Sequence, residues 1–237
     1  MRPRRLIEHT WMMALALPML YPILDASILP EELAARDAML RSVVEQLIAA
    51  GVTLLQYRNK SGYDSQIIAD CVVIRDASAP GLANKQRCIL VLNDRPDLIA
   101  ETRFAGVHIG QQDMPPREAR AIMGPHGLLG VSTHNEDQLL IANDSEADYI
   151  AIGPVFATTS KQNPDPVVGL EGVRRARALT RKPLVAIGGI TPANCRSVRE
   201  AGADSVAVIS SLFGNAHRIA SPESIHKTAR DFFMNLQ

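Results

Sequence analysis

Two aspartates and three cations are the residues of this chain whose types and spacing could do chemistry. Asp94 ends the apolar run Ile89-Leu-Val-Leu-Asn, and Asp113 closes Gly106-Val-His-Ile-Gly-Gln-Gln. Short apolar runs rich in β-branched residues and stopped by polar punctuation form buried parallel strands. An acid just past the carboxyl end of each of two neighbouring strands puts two carboxylates on one rim, where α/β proteins place their chemistry. One or two carboxylates, completed by substrate phosphates, is the usual way a protein holds magnesium. The plain alternative is capping, Asp94 for a helix at Pro96 and Asp113 for one at Pro116.

Arg58, Lys60 and Lys161 read by default as solvated surface cations. Each, however, directly follows a strand-like run, on the rim that carries the acids. Acids and bases share a site when a metal and a polyanion lie between them, and a diphosphate carries about three negative charges near neutral pH. Gly188-Gly189 and Ser210-Ser211 follow the last two strand-like runs. A glycine pair alone permits a tight turn. With hydroxyls after the next strand, it matches the phosphate site that barrels build from those two loops. One rim thus offers two phosphate subsites, a metal-assisted one near strands two to four and a glycine-lined one near strands seven and eight.

The elements that must position these residues alternate eight times. Strand-like runs fall at 20–24, 53–57, 89–93, 106–109, 128–132, 149–153, 184–187 and 205–209. Helical spacing covers 31–50, ended by Gly51, then 64–76, 96–100 and 116–123. A helix capped by Asn135 runs to Ser145, another ends near Leu179, and the segment opened by Thr191-Pro192 closes at Gly202. A last helix covers 222–236. Eight βα units in 237 residues predict an α/β fold of the (β/α)8 TIM-barrel type in a single domain, rather than an open doubly wound sheet.

Formal net charge is zero, with 25 basic and 25 acidic residues, so no global field recruits nucleic acid or an anionic membrane. Cys71, Cys88 and Cys195 lack metal-type spacing and read as reduced thiols of a cytoplasmic protein. Arg2, Arg4 and Arg5 before the apolar run 11–24 superficially resemble a secretory signal. His9 and two prolines flank or interrupt it, and 20–24 is needed as a first strand. Residues 1–17 are therefore expected to be a short extension and 18–237 the barrel.

Several segments together resemble the thiamine-phosphate synthase family, which includes a related thiazole tautomerase. They are Gln56-Tyr-Arg-Asn-Lys60, Asn93-Asp94, Gly106-Val-His-Ile-Gly-Gln-Gln-Asp113, Gly130-Val-Ser-Thr-His134, Gly153-Pro-Val-Phe-Ala-Thr-Thr-Ser-Lys161, Ala186-Ile-Gly-Gly-Ile190 and Val208-Ile-Ser210. The resemblance implies joining an aminopyrimidine methyl diphosphate to a thiazole ethyl phosphate, with diphosphate released. It implies Mg2+ held by Asp94 and Asp113, and the pyrimidine diphosphate held by Gln56, Tyr57, Arg58, Asn59, Lys60, Asn93, Ser132 and Lys161. Arg58, Lys60, Ser132 and Lys161 would carry the catalysis. Thr158, Thr159, Ser160, Gly189, Ile209 and Ser210 would hold the thiazole phosphate. The implied mechanism is dissociative, so no general base is needed at the reacting carbon, and His134 is expected to be structural. The partners implied are these two small molecules, with a homo-oligomer compatible and no nucleic acid or membrane.

Three positions depart from the family pattern. Asn59 stands where the family usually has an acid, Ser160 replaces a threonine, and Thr102-Arg-Phe-Ala105 replaces a glycine-alanine-aspartate lead. None removes a proposed metal ligand. The rival readings are the tautomerase and a non-catalytic barrel that binds phosphate ligands; both aspartates with Arg58, Lys60 and Lys161 favour the synthase.

Overall fold

Residues 16–60, 62–79, 87–158, 165–215 and 218–237 are described from a computed structural model. The eight predicted strands are present as β1 (Leu20–Asp25), β2 (Leu54–Arg58), β3 (Ile89–Asn93), β4 (Gly106–Ile109), β5 (Leu128–Thr133), β6 (Tyr149–Ile152), β7 (Leu184–Ile187) and β8 (Ser205–Val208). All pair in parallel with their chain neighbours, and β1 with β8 closes the barrel. Eight strands in sequential order, each returned to the sheet by a crossover, make the TIM barrel that the periodicity predicts.

The strands read as continuous apolar runs because both faces are buried. One set of residues, including Tyr21, Ile23, Leu54, Val91, Tyr149, Ala151, Val185 and Ala207, fills the barrel interior. The alternate set, including Leu20, Leu24, Leu55, Tyr57, Leu92 and Val107, packs outward against the helices. Leu17, placed by sequence in the N-terminal extension, joins the interior set beside Tyr21, whereas 1–15 lie outside the described residues.

Local signals set most helix ends. α1 (Leu33–Ala50) ends at Gly51, whose φ of 103° is the left-handed conformation that ends helices. Asn135 caps α5 (Glu136–Asn143), its side chain accepting the Gln138 N–H at 2.9 Å. α2 (Asp64–Ala77), α4 (Pro116–Met123) and α6 (Gly169–Leu179) fall close to expectation, and α3 (Ile99–Thr102) follows a single 3-10 turn at Pro96–Leu98.

The helix expected from Thr191-Pro192 begins later, as α7 (Cys195–Glu200). The reason is local: the Asn194 side chain accepts the Thr191 N–H at 2.8 Å and donates to the Gly189 carbonyl at 3.1 Å, winding 191–194 into a turn. After β8 come a four-residue helix, α8 (Ser210–Phe213), and a two-residue antiparallel ladder of β9 (Gly214–Asn215) and β10 (Arg218–Ile219), before α9 (Pro222–Leu236). Neither short feature is long enough to show a hydrophobic period.

Candidate active site

The carboxyl ends of the strands surround a cavity of about 410 Å3. Gln56, Arg58, Asn93, Ser132, Thr158, Gly189, Ile209 and Ser210, all predicted from sequence, line it. Strand alternation explains the set. Successive side chains point to opposite faces, so Gln56 and Arg58 face the interior while Tyr57 between them faces the helices. Tyr57 is therefore a correction to the sequence reading: it is fully buried in the outer layer and does not line the cavity. Thr159, Ser160 and Lys161 lie outside the described residues.

The two aspartates sit at the rim after β3 and β4, and neither caps a helix. Arg95 occupies the cap position of the 3-10 turn at Pro96, and Pro115 that of α4, without a side-chain bond in either case. Asp113 instead accepts the Gly110 N–H at 2.8 Å. Asp94 pairs with Lys60 and takes a φ of 61°, a left-handed conformation uncommon outside glycine. Burial first, and then the neighbouring Asp113 carboxyl, push the Asp94 carboxyl up to about 6, against the opposing pull of Lys60. Two carboxyl groups thus share one space at the rim. Hard oxygen donors of this kind suit a magnesium ion whose other positions are filled by water and phosphate. Among the described residues no cluster of three or more acidic, histidine or cysteine side chains is present, and these two carboxyls are the donors the rim offers.

Arg58 is held by Asp25 at the end of β1. Gln56 Nε2 donates to Asn93 Oδ1 at 2.6 Å, and Gln56 Oε1 is buried with no hydrogen-bond partner among the described residues. Beside them, His108 Nε2 lies 2.8 Å from Ser132 Oγ, and its Nδ1 lies 3.0 Å from the Tyr149 hydroxyl, which contacts the Tyr21 hydroxyl at 2.8 Å. His134 Nδ1 donates to the Gly153 carbonyl at 2.7 Å, and Nε2 lies 3.4 Å from Asp165.

The far side of the mouth is close-packed backbone. Gly188 and Gly189 have φ values of 103° and 64°. A Cβ on Gly188 would lie 2.5 Å from Pro154 Cβ, and one on Gly189 2.6 Å from the Ala157 carbonyl oxygen. Glycine is required here by conformation and by the close approach of the loop after β6. That loop is tied to β7 by the Val155 N–H on the Ile187 carbonyl and the Phe156 N–H on that of Gly188, at 2.9 and 3.0 Å.

Sequence reasoning assigned no site role to Asp25, His108 or Asp165, and read Thr191 only as part of a helix opening. Asp25 and His108 carried a usable signal: Asp25 directly follows the first apolar run, and His108 is a polar residue inside the fourth. Asp165 lies in an irregular segment that bears no such mark.

Comparison with known proteins agrees with this geometry. A family model described as thiamine monophosphate synthase matches residues 20–212. The thiamine-phosphate synthase of Koribacter versatilis (strain Ellin345) is 51% identical over 207 residues, covering 87% of this chain and 94% of the relative. That of Chloroflexus aurantiacus is 40% identical over 193 residues, covering 81% and 84%. Among solved structures, the thiamine phosphate pyrophosphorylase from Pyrococcus furiosus superposes with a TM-score of 0.74 at 28% identity, covering 92% of this chain and 95% of the other. A model matching most of the barrel and relatives matched over nearly their whole length place the chain in the thiamine monophosphate synthase family.

Proposed function

We propose that this protein is a magnesium-assisted thiamine-phosphate synthase. It joins 4-amino-2-methyl-5-(diphosphooxymethyl)pyrimidine to a thiazole ethyl phosphate and releases diphosphate. The single observation that carries the reading is the Asp94–Asp113–Lys60 group: two acids that cap no helix, brought together on the rim beside Arg58 and Asn93 of the cavity.

The diphosphate end of the pyrimidine lies along Arg58 and Lys60, and the family resemblance adds Lys161 to these cations. These cations stabilise the charge that collects on the leaving group as the C–O bond breaks. Asp94 and Asp113 would hold magnesium, which would supply further positive charge to the departing diphosphate. The unpartnered Gln56 Oε1 accepts a hydrogen bond from the pyrimidine amine, an acceptor otherwise left unmet in the interior. The walls formed by Ile23, Ala151, Ile187 and Ala207 keep water from the cation left behind. The thiazole phosphate rests on Thr158, Thr159, Ser160, Gly189, Ile209 and Ser210, presenting the ring nitrogen to that carbon. The nitrogen lone pair forms the new C–N bond and no proton leaves, which is why no general base is needed.

The test is a coupling assay with the two purified substrates. Thiamine phosphate and one equivalent of diphosphate are expected with magnesium, and neither with chelator. Absence of product with magnesium present overturns the reading.

A further inference from the structure

Beneath the loop that carries Arg58 and Lys60 lies an ionic cluster with no part in the chemistry just described. Asp70 of α2 is fully buried, and Arg36 of α1 is nearly so. They meet as a fork, with Arg36 Nε 2.8 Å from Asp70 Oδ1 and Nη2 2.6 Å from Oδ2. Arg36 Nη1 also donates to the Pro30 carbonyl at 3.2 Å, and Gln66 Nε2 to Asp70 Oδ1 at 2.9 Å. Two apolar side chains of similar volume would often stabilise such a place as well or better. Stability alone therefore does not account for the pair.

Tyr57 and Asn59 connect the cluster to the catalytic rim. The Tyr57 hydroxyl donates to Asp70 Oδ2 and accepts from Asn59 Nδ2 at 3.2 Å. Asn59 Oδ1 in turn accepts the Gly62 N–H at 2.7 Å, closing the turn that contains Lys60. A phenol has one proton to give. With that proton on Asp70, its oxygen can only accept, so the residue at 59 must donate to it and also accept from Gly62. An amide does both, whereas a carboxylate does only the second. Burial, and then the bond to Asp70, push the Tyr57 hydroxyl far above its usual range, so this polarity persists across working pH.

We propose that Arg36, Asp70, Tyr57 and Asn59 form a positioning set that fixes the aim of Arg58 and Lys60 at the diphosphate. The inference rests on the reading of the rim given above. Tyr57 and Asn59 then act on the loop rather than on substrate.

Steady-state kinetics of both substrates, and calorimetric titration of magnesium diphosphate, test this on the full chain. The variants are Tyr57→Phe, Asn59→Ala, their double, and Lys60→Ala as reference. Each single variant is expected to raise KM for the diphosphate substrate about tenfold while leaving that of the thiazole phosphate within about twofold, and the double is no worse than the worse single because one link is broken. An unmoved diphosphate KM where Lys60→Ala raises it overturns the set. So does equal weakening of both substrates, or additivity in the double. If the wild type forms no product, the functional reading is at fault and the titration decides the set alone. Tenfold weaker magnesium diphosphate in the variants supports it, and equal affinity overturns it. Should Tyr57→Phe fail to fold, Asn59→Ala, half-buried in a loop, carries the same comparison.

Discussion

Two aspartates on each rim of the barrel are built in opposite ways. At the amino end, Asp148 Oδ2 accepts from Arg120 at 2.6 Å and from the Leu129 N–H at 2.7 Å, while the Asp148 N–H donates to the Leu129 carbonyl at 2.8 Å. Asp204 repeats the clasp two strands on, with Arg177 and the Leu184 N–H each at 2.8 Å from Oδ2, and its own N–H 2.8 Å from the Leu184 carbonyl. Each of these carboxylates is met by one cation and one backbone donor in relaxed geometry. At the carboxyl end, Asp94 and Asp113 face one another, Asp94 takes a left-handed backbone, and Lys60, its cation, is about half exposed. One rim holds strands together. The other keeps an arrangement that folding alone would not select, and backbone outliers of that kind cluster at functional sites.

The sharpest way to break this contrast is to remove one acid from each rim. Asp94→Ala and Asp113→Ala are each expected to lower the coupling rate by at least about a thousandfold in a protein that still shows the barrel's circular dichroism. Asp148→Ala and Asp204→Ala are expected to leave turnover of the folded enzyme within about twofold. A folded amino-rim variant without activity would erase the distinction.

The metal-free carboxyl rim should also respond to acid in a way the amino rim does not. Asp94 is held up to about 6. Magnesium binds the ionised carboxylate, so binding must expel a proton once the pH falls below that value. Between pH 7.5 and pH 5 the apparent magnesium affinity is expected to fall about tenfold. Calorimetry in buffers of different ionisation enthalpy reads the released proton directly. A flat affinity across that range contradicts the crowded pair.

Next in size is the clasp. Truncating Asp148 strands the Leu129 N–H and one Arg120 Nη2 donor, while the guanidinium keeps its bonds to the Gly124, Gly127 and Glu146 carbonyls at 3.1, 2.6 and 3.0 Å. Urea unfolding of Asp148→Ala is expected to show a loss of about 1–3 kcal/mol, mostly from the unpaired buried amide, since the exposed part of the ion pair contributes little. No change in the midpoint would show that this rim is not the stabilising one.

The barrel was legible from sequence because a buried parallel strand writes an uninterrupted apolar run, and eight such runs leave little topological choice. The rim was legible for a related reason, since everything just past a strand is placed by the fold. Facing was harder. Tyr57 sits within a recognisable segment, but only the alternation of β2, seen with its register to Ile23, Leu24 and Asp25, turns it away from the cavity. Asp25 went unassigned because its meaning depends on Arg58, 33 positions later. His108 lay in plain view inside a strand, yet its partners Ser132 and Tyr149 come from β5 and β6, and closure of the barrel is what joins them. Asn59 looked like a lost charge. The structure gives it a donor and an acceptor to supply, which an acid could not do alone.

The smallest expected effect is also the one that separates function from folding most cleanly. Asp94→Asn removes the buried charge and its repulsion from Asp113, and asparagine tolerates the left-handed backbone at least as well as aspartate. The folded-state value of Asp94 lies above that of an unfolded carboxylate, so its contribution favours the native state in acid and is lost as pH rises through about 6. The substitution should therefore stabilise the metal-free protein above that pH, by about 1 kcal/mol after allowing for the lost Lys60 pair, and do little near pH 4. Thermal unfolding of wild type and variant in chelator, at both pH values, measures the difference. Activity should vanish while the midpoint rises. A variant less stable than wild type at neutral pH would mean that Asp94 is held there by the fold, and that the two rims are alike after all.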